Sequence, residues 1–455
     1  MKKPQSVSRR KFLQTATTAA ITSPLLMRSM AHANPLQKKL RHACIGVGGM
    51  GWHDFTTIRS HPNVEIVALC DVDANNLKKA AELHPNVPIY ADWREMFAKE
   101  KENIDSVNVS VPDHNHFVIA MEAIRNNKHV YCQKPLCHDV QEVRLLTQAA
   151  IKKGVKTQLG TQIASSKGDR IGVQWIKEEA IGKIKHVYLC SNRPGIEAVR
   201  LLGPRPTGEK EVPAHLNWDL WIGTAPMRPF QPTVYHPGRW RTWQDFGTGW
   251  SGDIGCHIFD AVWKGMGLKA PLTVQAKVQK SWQDSPERRA DTWPQSNHIT
   301  WTFPGNKMTA EDKLTVEWFD GEFYPPDDVR ALYSIKDYPV ESAMLIGTKG
   351  ALLIPHQGTP VLLPKNDFDQ KKLPELAERD HYHHFVDACL GGENTESHFA
   401  QSGPMTEAII LGTVAIRVPG QLLQWDAAKM KFPNFPEANQ YIGRKYRKGW
   451  EVKSV

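Results

Sequence analysis

Apolar residues along this chain fall into two successive patterns. From His42 to about residue 160, compact apolar runs recur at residues 64–70, 104–111, 129–136 and 155–160, separated by stretches that read as helices. Continuous apolar strands alternating with helices are what a doubly wound parallel sheet, covered on both faces, requires. Beyond residue 160 the runs lengthen and alternate apolar with polar positions, as in 184–189, 272–278, 298–303 and 314–319. A period of two marks strands with one covered face and one open or interfacial face, and hence a large, mostly antiparallel sheet. Residues 343–347 and 351–354, flanking Thr348-Lys349-Gly350, read as a hairpin. The predicted fold class is α/β followed by α+β, with one domain over 40–160 and a second over 161–455. Residues 203–212 and 364–380 read as surface loops.

Charge changes this picture at one end only. The formal charge is +9, but residues 1–33 hold Lys2, Lys3, Arg9, Arg10, Lys11 and Arg28 with no acid, which leaves +3 for the rest. Nucleic acid is therefore not an expected partner. The same segment has the layout of an export signal, with Ser8-Arg9-Arg10-Lys11-Phe12-Leu13 matching the twin-arginine pattern. A modest apolar run from Ala16 to Met27 and a small-x-small site at Ala31-His32-Ala33 follow. That run is broken by Thr22, Ser23 and Pro24, well short of the roughly 20 apolar residues that span a bilayer. A periplasmic or extracellular protein without a membrane span is expected. The seven cysteines form no CxxC pair or dense framework and read as buried thiols.

The first chemical signal is the segment from His42, a short strand that runs into Gly46-x-Gly48-Gly49-Met50-Gly51 and then a helix. A second strand ends at Asp71, the usual interval from the last glycine to the acid that bonds an adenosine ribose. Gly46 suits the tight turn, Gly48 the close approach of a pyrophosphate, and Gly51 the packing of helix on strand. This predicts a Rossmann domain that binds NAD in preference to NADP, because Asp71 would repel a 2′-phosphate. Two more apolar strands close in polar residues, at Pro112-Asp113-His114-Asn115-His116 and at Gln133-Lys134-Pro135. Ligands of open α/β sheets lie at the carboxyl ends of strands, so these loops should meet the glycine loop in one crevice.

In the second domain, a glycine-rich loop from Asp245 leads into a helix carrying Asp253 and His257. Ile254, Ile258 and Val262 form its buried stripe, which sets the acid and the imidazole one turn apart on the neighbouring face. Such a pair suits general base work, with Asp253 fixing the tautomer of His257. Just upstream, Trp218, Trp221, Tyr235, Trp240, Trp243 and Trp250 are interleaved with His236, Arg239 and Arg241. Flat aromatic faces pack on pyranose C–H faces while Arg and His bond hydroxyls, so a carbohydrate substrate held by His236, Arg239, Trp243, Asp253 and His257 is expected. His381-Tyr382-His383-His384 lacks ligand spacing, and no metal is expected.

Together these motifs resemble the glucose-fructose oxidoreductase, inositol dehydrogenase and rhizopine catabolism (Gfo/Idh/MocA) family. The carriers are the glycine loop, Pro112–His116, Lys134-Pro135 and Asp253-x-Gly-x-His257-x-x-Asp260; the stretches around Gly403, Trp425 and Pro436–Tyr441 resemble a secreted branch. The resemblance implies an NAD(P)-dependent oxidoreductase acting on a sugar, sugar derivative or polyol by hydride transfer. It places Lys134 near the nicotinamide and the reacting oxygen, His257 as acid/base, and Asp253 as its partner or a substrate ligand, with Pro112 and His116 among the cofactor-binding positions. The family usually has Glu before the Lys-Pro dipeptide, where this chain has Gln133. Outside the cytoplasm the cofactor should stay bound and recycle, through coupled sugar oxidation and reduction or through transient oxidation that assists glycoside cleavage. A non-catalytic sugar-binding protein is the remaining alternative. The resemblance also implies a homo-oligomer, a dimer or tetramer, built through the open sheet face.

Overall fold

The computed structural model describes residues 39–194 and 202–452. The segment read as an export signal lies outside the described residues. The first sheet has six parallel strands, β1 (Leu40–Ile45), β2 (Val64–Cys70), β3 (Ile89–Tyr90), β4 (Ser106–Val109), β5 (His129–Cys132) and β6 (Thr157–Leu159), in the order 3-2-1-4-5-6. Between them run α1 (Met50–Ile58), α2 (Ala74–Ala81), α3 (Trp93–Glu100), α4 (His116–Arg125) and α5 (Val140–Lys153). Local sequence explains several starts: Asp73, Asp92 and Asp139 each accept a backbone N–H in the first turn of α2, α3 and α5. The strand order reverses between β1 and β4, which opens a crevice at their carboxyl ends.

The second sheet follows α6 (Lys167–Lys177) and begins with β7 (Ile184–Ser191). A short helix α7 (Trp218–Ile222) and the long α8 (Gly249–Met266) come before β8 (Thr273–Val278), β9 (Asn297–Pro304) and β10 (Lys313–Asp320). The hairpin is β11 (Glu341–Gly347) with β12 (Ala351–Pro355), extended by β13 (Val361–Leu363). After α9 (His381–Cys389) and α10 (Phe399–Arg417), β14 (Leu423–Gln424) completes a sheet of order 13-12-11-7-10-9-8-14. All pairs are antiparallel except β7 with β10 at the centre. The period of two is explained by the packing: Val187, Leu189, Val316, Trp318, Ile299 and Trp301 are buried, and α6, α8 and α10 pack against the sheet. The opposite face carries His186, Thr300, Thr302, Thr315 and Glu317.

The chain after residue 380 returns to the first sheet. Helix α9 packs on α1 and α10 on α5. Across the second contact the Arg144 guanidinium donates two bonds to the Glu407 carboxylate, at 2.7 and 2.6 Å. Six of the seven cysteines are buried and all are free thiols. No helix among the described residues is long and apolar enough to cross a membrane. Because Glu407 is buried and Arg144 largely so, Glu407→Ala strands a guanidinium and should lower stability by about 3 kcal/mol. Urea unfolding checks this, and an unchanged midpoint would show that the α5–α10 pair contributes nothing.

Candidate active site

The glycine loop closes as the spacing predicts. Gly46 adopts φ +83°, where an added Cβ would lie 2.2 Å from the Ser110 carbonyl oxygen, and a Cβ on Gly51 would lie 2.3 Å from that of Gly46. The turn therefore admits only glycine at both places. Met50, exposed, opens α1, and the amides of Gly48 and Gly49 meet no backbone acceptor among the described residues. Unengaged N–H groups at a helix N-terminus are suited to a pyrophosphate. At the end of β2, Asp71 accepts the Val47 and Asp73 amides, each at 2.8 Å, so its carboxylate is fixed beside the loop. These residues fit a dinucleotide.

The loops after β4 and β5 meet α8 in the same crevice. The Lys134 ammonium donates to Asp253 Oδ1 at 2.5 Å, and Arg241 Nε lies 3.5 Å from the same oxygen. Both partners of the first pair are nearly buried, at 13% and 7% side-chain exposure. Burial opposes ionisation of Asp253, but the Lys134 and Arg241 cations outweigh it and hold the carboxyl well below its usual range. Beside it Asp113 accepts the Thr248 amide and hydroxyl at 3.2 and 3.0 Å. Burial, and then the Asp253 charge, push the Asp113 carboxyl up to about 7.

Asp253 thus pairs with Lys134 and not with His257, as the helix spacing had suggested. Long side chains from another element reach an acid that its own helix leaves open. His257 faces His356 instead, ring centroids 5.0 Å apart, and Nδ1 of each ring lacks a partner among the described residues. Burial, then the charge of Lys134 and the neighbouring His356, push the His257 imidazole well below its ordinary value, so it is neutral. His356 follows β12 and carried no local signal in the sequence.

Gln133 has a physical counterpart. Its amide Nε2 donates to both oxygens of Asp54, at 3.1 and 3.0 Å, and the Tyr382 and Ser110 hydroxyls donate to the same carboxylate at 2.8 and 2.6 Å. Gln133 thus supplies a donor to a buried acid on α1, which a glutamate at that position could not do when ionised. A polar Asp54 on the buried face of α1 was the available clue.

Four expected ligands stand elsewhere or act differently. Trp243 is fully buried, its indole donating to the Val234 carbonyl at 2.8 Å, inside a cluster with Trp218, Trp221, Tyr235 and Phe246. Stacked rings exclude water from one another before they meet a ligand. His236 lies 3.1 Å from Asp73, the residue that caps α2, and not in contact with Lys134 or Asp253 in any hydrogen bond or ion pair among the described residues. Arg239 makes no ion pair among the described residues, whereas Arg241, two positions on, reaches Asp253. His116 is fully buried, its two ring nitrogens 2.8 Å from the Pro135 and Val111 carbonyl oxygens, so it joins the two loops and does not face a cofactor. Pro112 stands at the mouth of the crevice, partly exposed.

Fold and site together define a dinucleotide-binding Rossmann domain joined to a mixed-sheet domain. Residues 40–161 match the family model described as oxidoreductase family, NAD-binding Rossmann fold, and residues 200–305 match its companion, oxidoreductase family, C-terminal alpha/beta domain. Together they cover half of the chain, which belongs to the Gfo/Idh/MocA oxidoreductase family. An uncharacterized oxidoreductase, YrbE, of Bacillus subtilis is 28% identical over 28% of this chain and 36% of its own. Inositol 2-dehydrogenase of Rubrobacter xylanophilus is 26% identical over 25% of this chain and 32% of its own. The chain thus spans about a third of the length of these relatives. The WlbA dehydrogenase of Bordetella pertussis, solved with NADH and UDP-GlcNAcA, shares the fold, with a TM-score of 0.58 and 15% identity, covering 85% of this chain and 99% of that one.

Two outcomes follow. Asp113 holds in the folded state a proton that the unfolded chain has released, so stability falls as pH rises from about 4 toward 7. Asp113→Asn should flatten that slope, being about 4 kcal/mol more stable than wild type at pH 8 and equal to it near pH 3 in urea titrations. Gln133→Glu sets two buried carboxylates against each other and should cost about 2 kcal/mol or more, recovered by adding Asp54→Asn. A double-mutant cycle with no coupling would refute the pairing.

Proposed function

We propose that the protein is an NAD-dependent oxidoreductase that transfers a hydride between its cofactor and a secondary alcohol of a sugar, sugar derivative or polyol. The observation that carries this reading is the buried Lys134–Asp253 pair, with the neutral His257 one turn further along α8, at the carboxyl ends of the Rossmann strands. NAD, when bound, supplies the hydride acceptor or donor. The remaining needs are a base for the hydroxyl proton and a fixed cation beside the developing alkoxide. Lys134, held in place by Asp253, meets the second. His257 meets the first, since its Nδ1 is unengaged and the ring is uncharged. His356, its neighbour, stands where the next proton acceptor is needed.

Asp71, negative where a 2′-phosphate would lie, favours NAD over NADP. The twin-arginine pattern at residues 8–13 supports export in the folded state. Turnover in that setting needs a cofactor that stays bound and is recycled by the substrates themselves.

The test uses full-length protein, with bound nucleotide released by denaturation and identified by mass, and nicotinamide absorbance followed as sugars and polyols are added. His257→Asn should retain the nucleotide and lose about 10²- to 10⁴-fold in turnover. With its pKa pushed down, His257 stays a base to pH values below 6.5, so kcat/KM of the wild type should fall only on that acid side. Wild-type turnover in His257→Asn, or no absorbance response to any alcohol, would overturn the assignment.

A further inference from the structure

A second cavity, of about 190 Å³, lies away from the Lys134–Asp253 pair, walled by His138, Asp139, Asp245, Arg417, Arg444 and Lys445. Most of its charges are already matched. Asp245 pairs with Arg205 and Arg228 at 3.0 and 2.7 Å, and Arg444 with Glu142 and Asp139 at 2.8 and 3.4 Å. Arg417, near the end of α10, is the exception. Its guanidinium is stacked between the rings of Trp293 and Tyr441, at 4.8 and 4.9 Å, and makes no hydrogen bond or ion pair among the described residues.

Ring faces hold a guanidinium from above and below and leave its N–H edge free. A guanidinium without a protein acceptor is uncommon in native structures, and Arg417, only partly buried, opens its edge to the cavity. His138 repeats the anomaly: it is 7% exposed, and among the described residues neither ring nitrogen makes a well-formed hydrogen bond, with only the Gln244 backbone close to the ring. Lys445, exposed, also lines the cavity and makes no ion pair among the described residues.

We infer that this cavity binds a small oxyanion, a carboxylate or a phosphate, on the free edge of Arg417 with His138 and Lys445. An oxyanion satisfies the donors in the bidentate geometry that a guanidinium prefers. The walls give the site a reach beyond itself. His138 and Asp139 follow the loop that carries Lys134, and Asp245 precedes the helix that carries Asp253. A ligand here braces both partners of the reaction-site ion pair. The inference does not depend on the proposed activity, because its test reads binding directly.

The full-length protein would be melted in phosphate, in acetate and in sodium chloride at matched ionic strength, and titrated calorimetrically with phosphate and with acetate. Wild type should melt higher in one of the oxyanions than in chloride, and the titration shows whether phosphate or carboxylate is preferred. Arg417→Met should lose the response while still melting cooperatively in chloride. Lys445→Met, a rim change that leaves the core untouched, should weaken binding several-fold and keeps the test open should Arg417→Met fail to fold. Heat without saturation, or equal stabilisation of wild type and both variants, is a general salt effect and overturns the proposal, as does wild-type indifference to both anions.

Discussion

The ion pair between Lys134 and Asp253 is the contact on which the reaction site depends. It joins a loop at the end of a Rossmann strand to a helix 119 positions later in the chain. Removing two charges from water costs several kcal/mol per ion, and mutual attraction offsets that only when the geometry is close. An apolar pair would hold the two segments together as well. It would not deliver a cation to one defined point of the crevice, and that delivery is what the buried pair accomplishes.

The other charges fall into place around it. With Lys134 and Arg241 both directed at Asp253, that acid stays ionised, and its neighbour Asp113 is left protonated by burial and by proximity to a like charge. Burial first, and then the Lys134 charge, push the His257 and His356 imidazoles down. One level below, Asp54 takes donors from Gln133, Ser110 and Tyr382, so the buried acid is satisfied without touching Lys134. Tyr382 comes from α9, so the return of the chain to the first sheet supplies one of these donors. The histidines around residue 381 belong to that return: His381 is buried between Ser165 and the Leu159 carbonyl.

The aromatic cluster shows the limit of reading composition as chemistry. Six rings close together in sequence invite the picture of a sugar platform, yet Trp218, Trp221, Tyr235 and Trp243 spend their faces on one another. The cluster makes a rigid wall. What it presents to the crevice is Arg241, stacked on Trp240 at 4.2 Å and aimed at Asp253.

The sequence by itself determined whatever depends on backbone geometry and periodicity. Strand and helix order followed from apolar spacing, the dinucleotide loop from Gly46 and Gly51, whose positions no side chain can share, and Asp71 from its interval along one βαβ unit. Lys134, Asp253 and His257 were legible as candidate site residues because each sits in a short motif. Only the tertiary structure decided which of them meet. The Lys134–Asp253, His257–His356 and Gln133–Asp54 contacts each join separate elements, and nothing local encodes the angle at which a helix crosses a strand end. Burial was equally out of reach: Trp243 and His116 read as ligands because residue type reports what a side chain can bond, whereas packing decides whether any ligand can approach it.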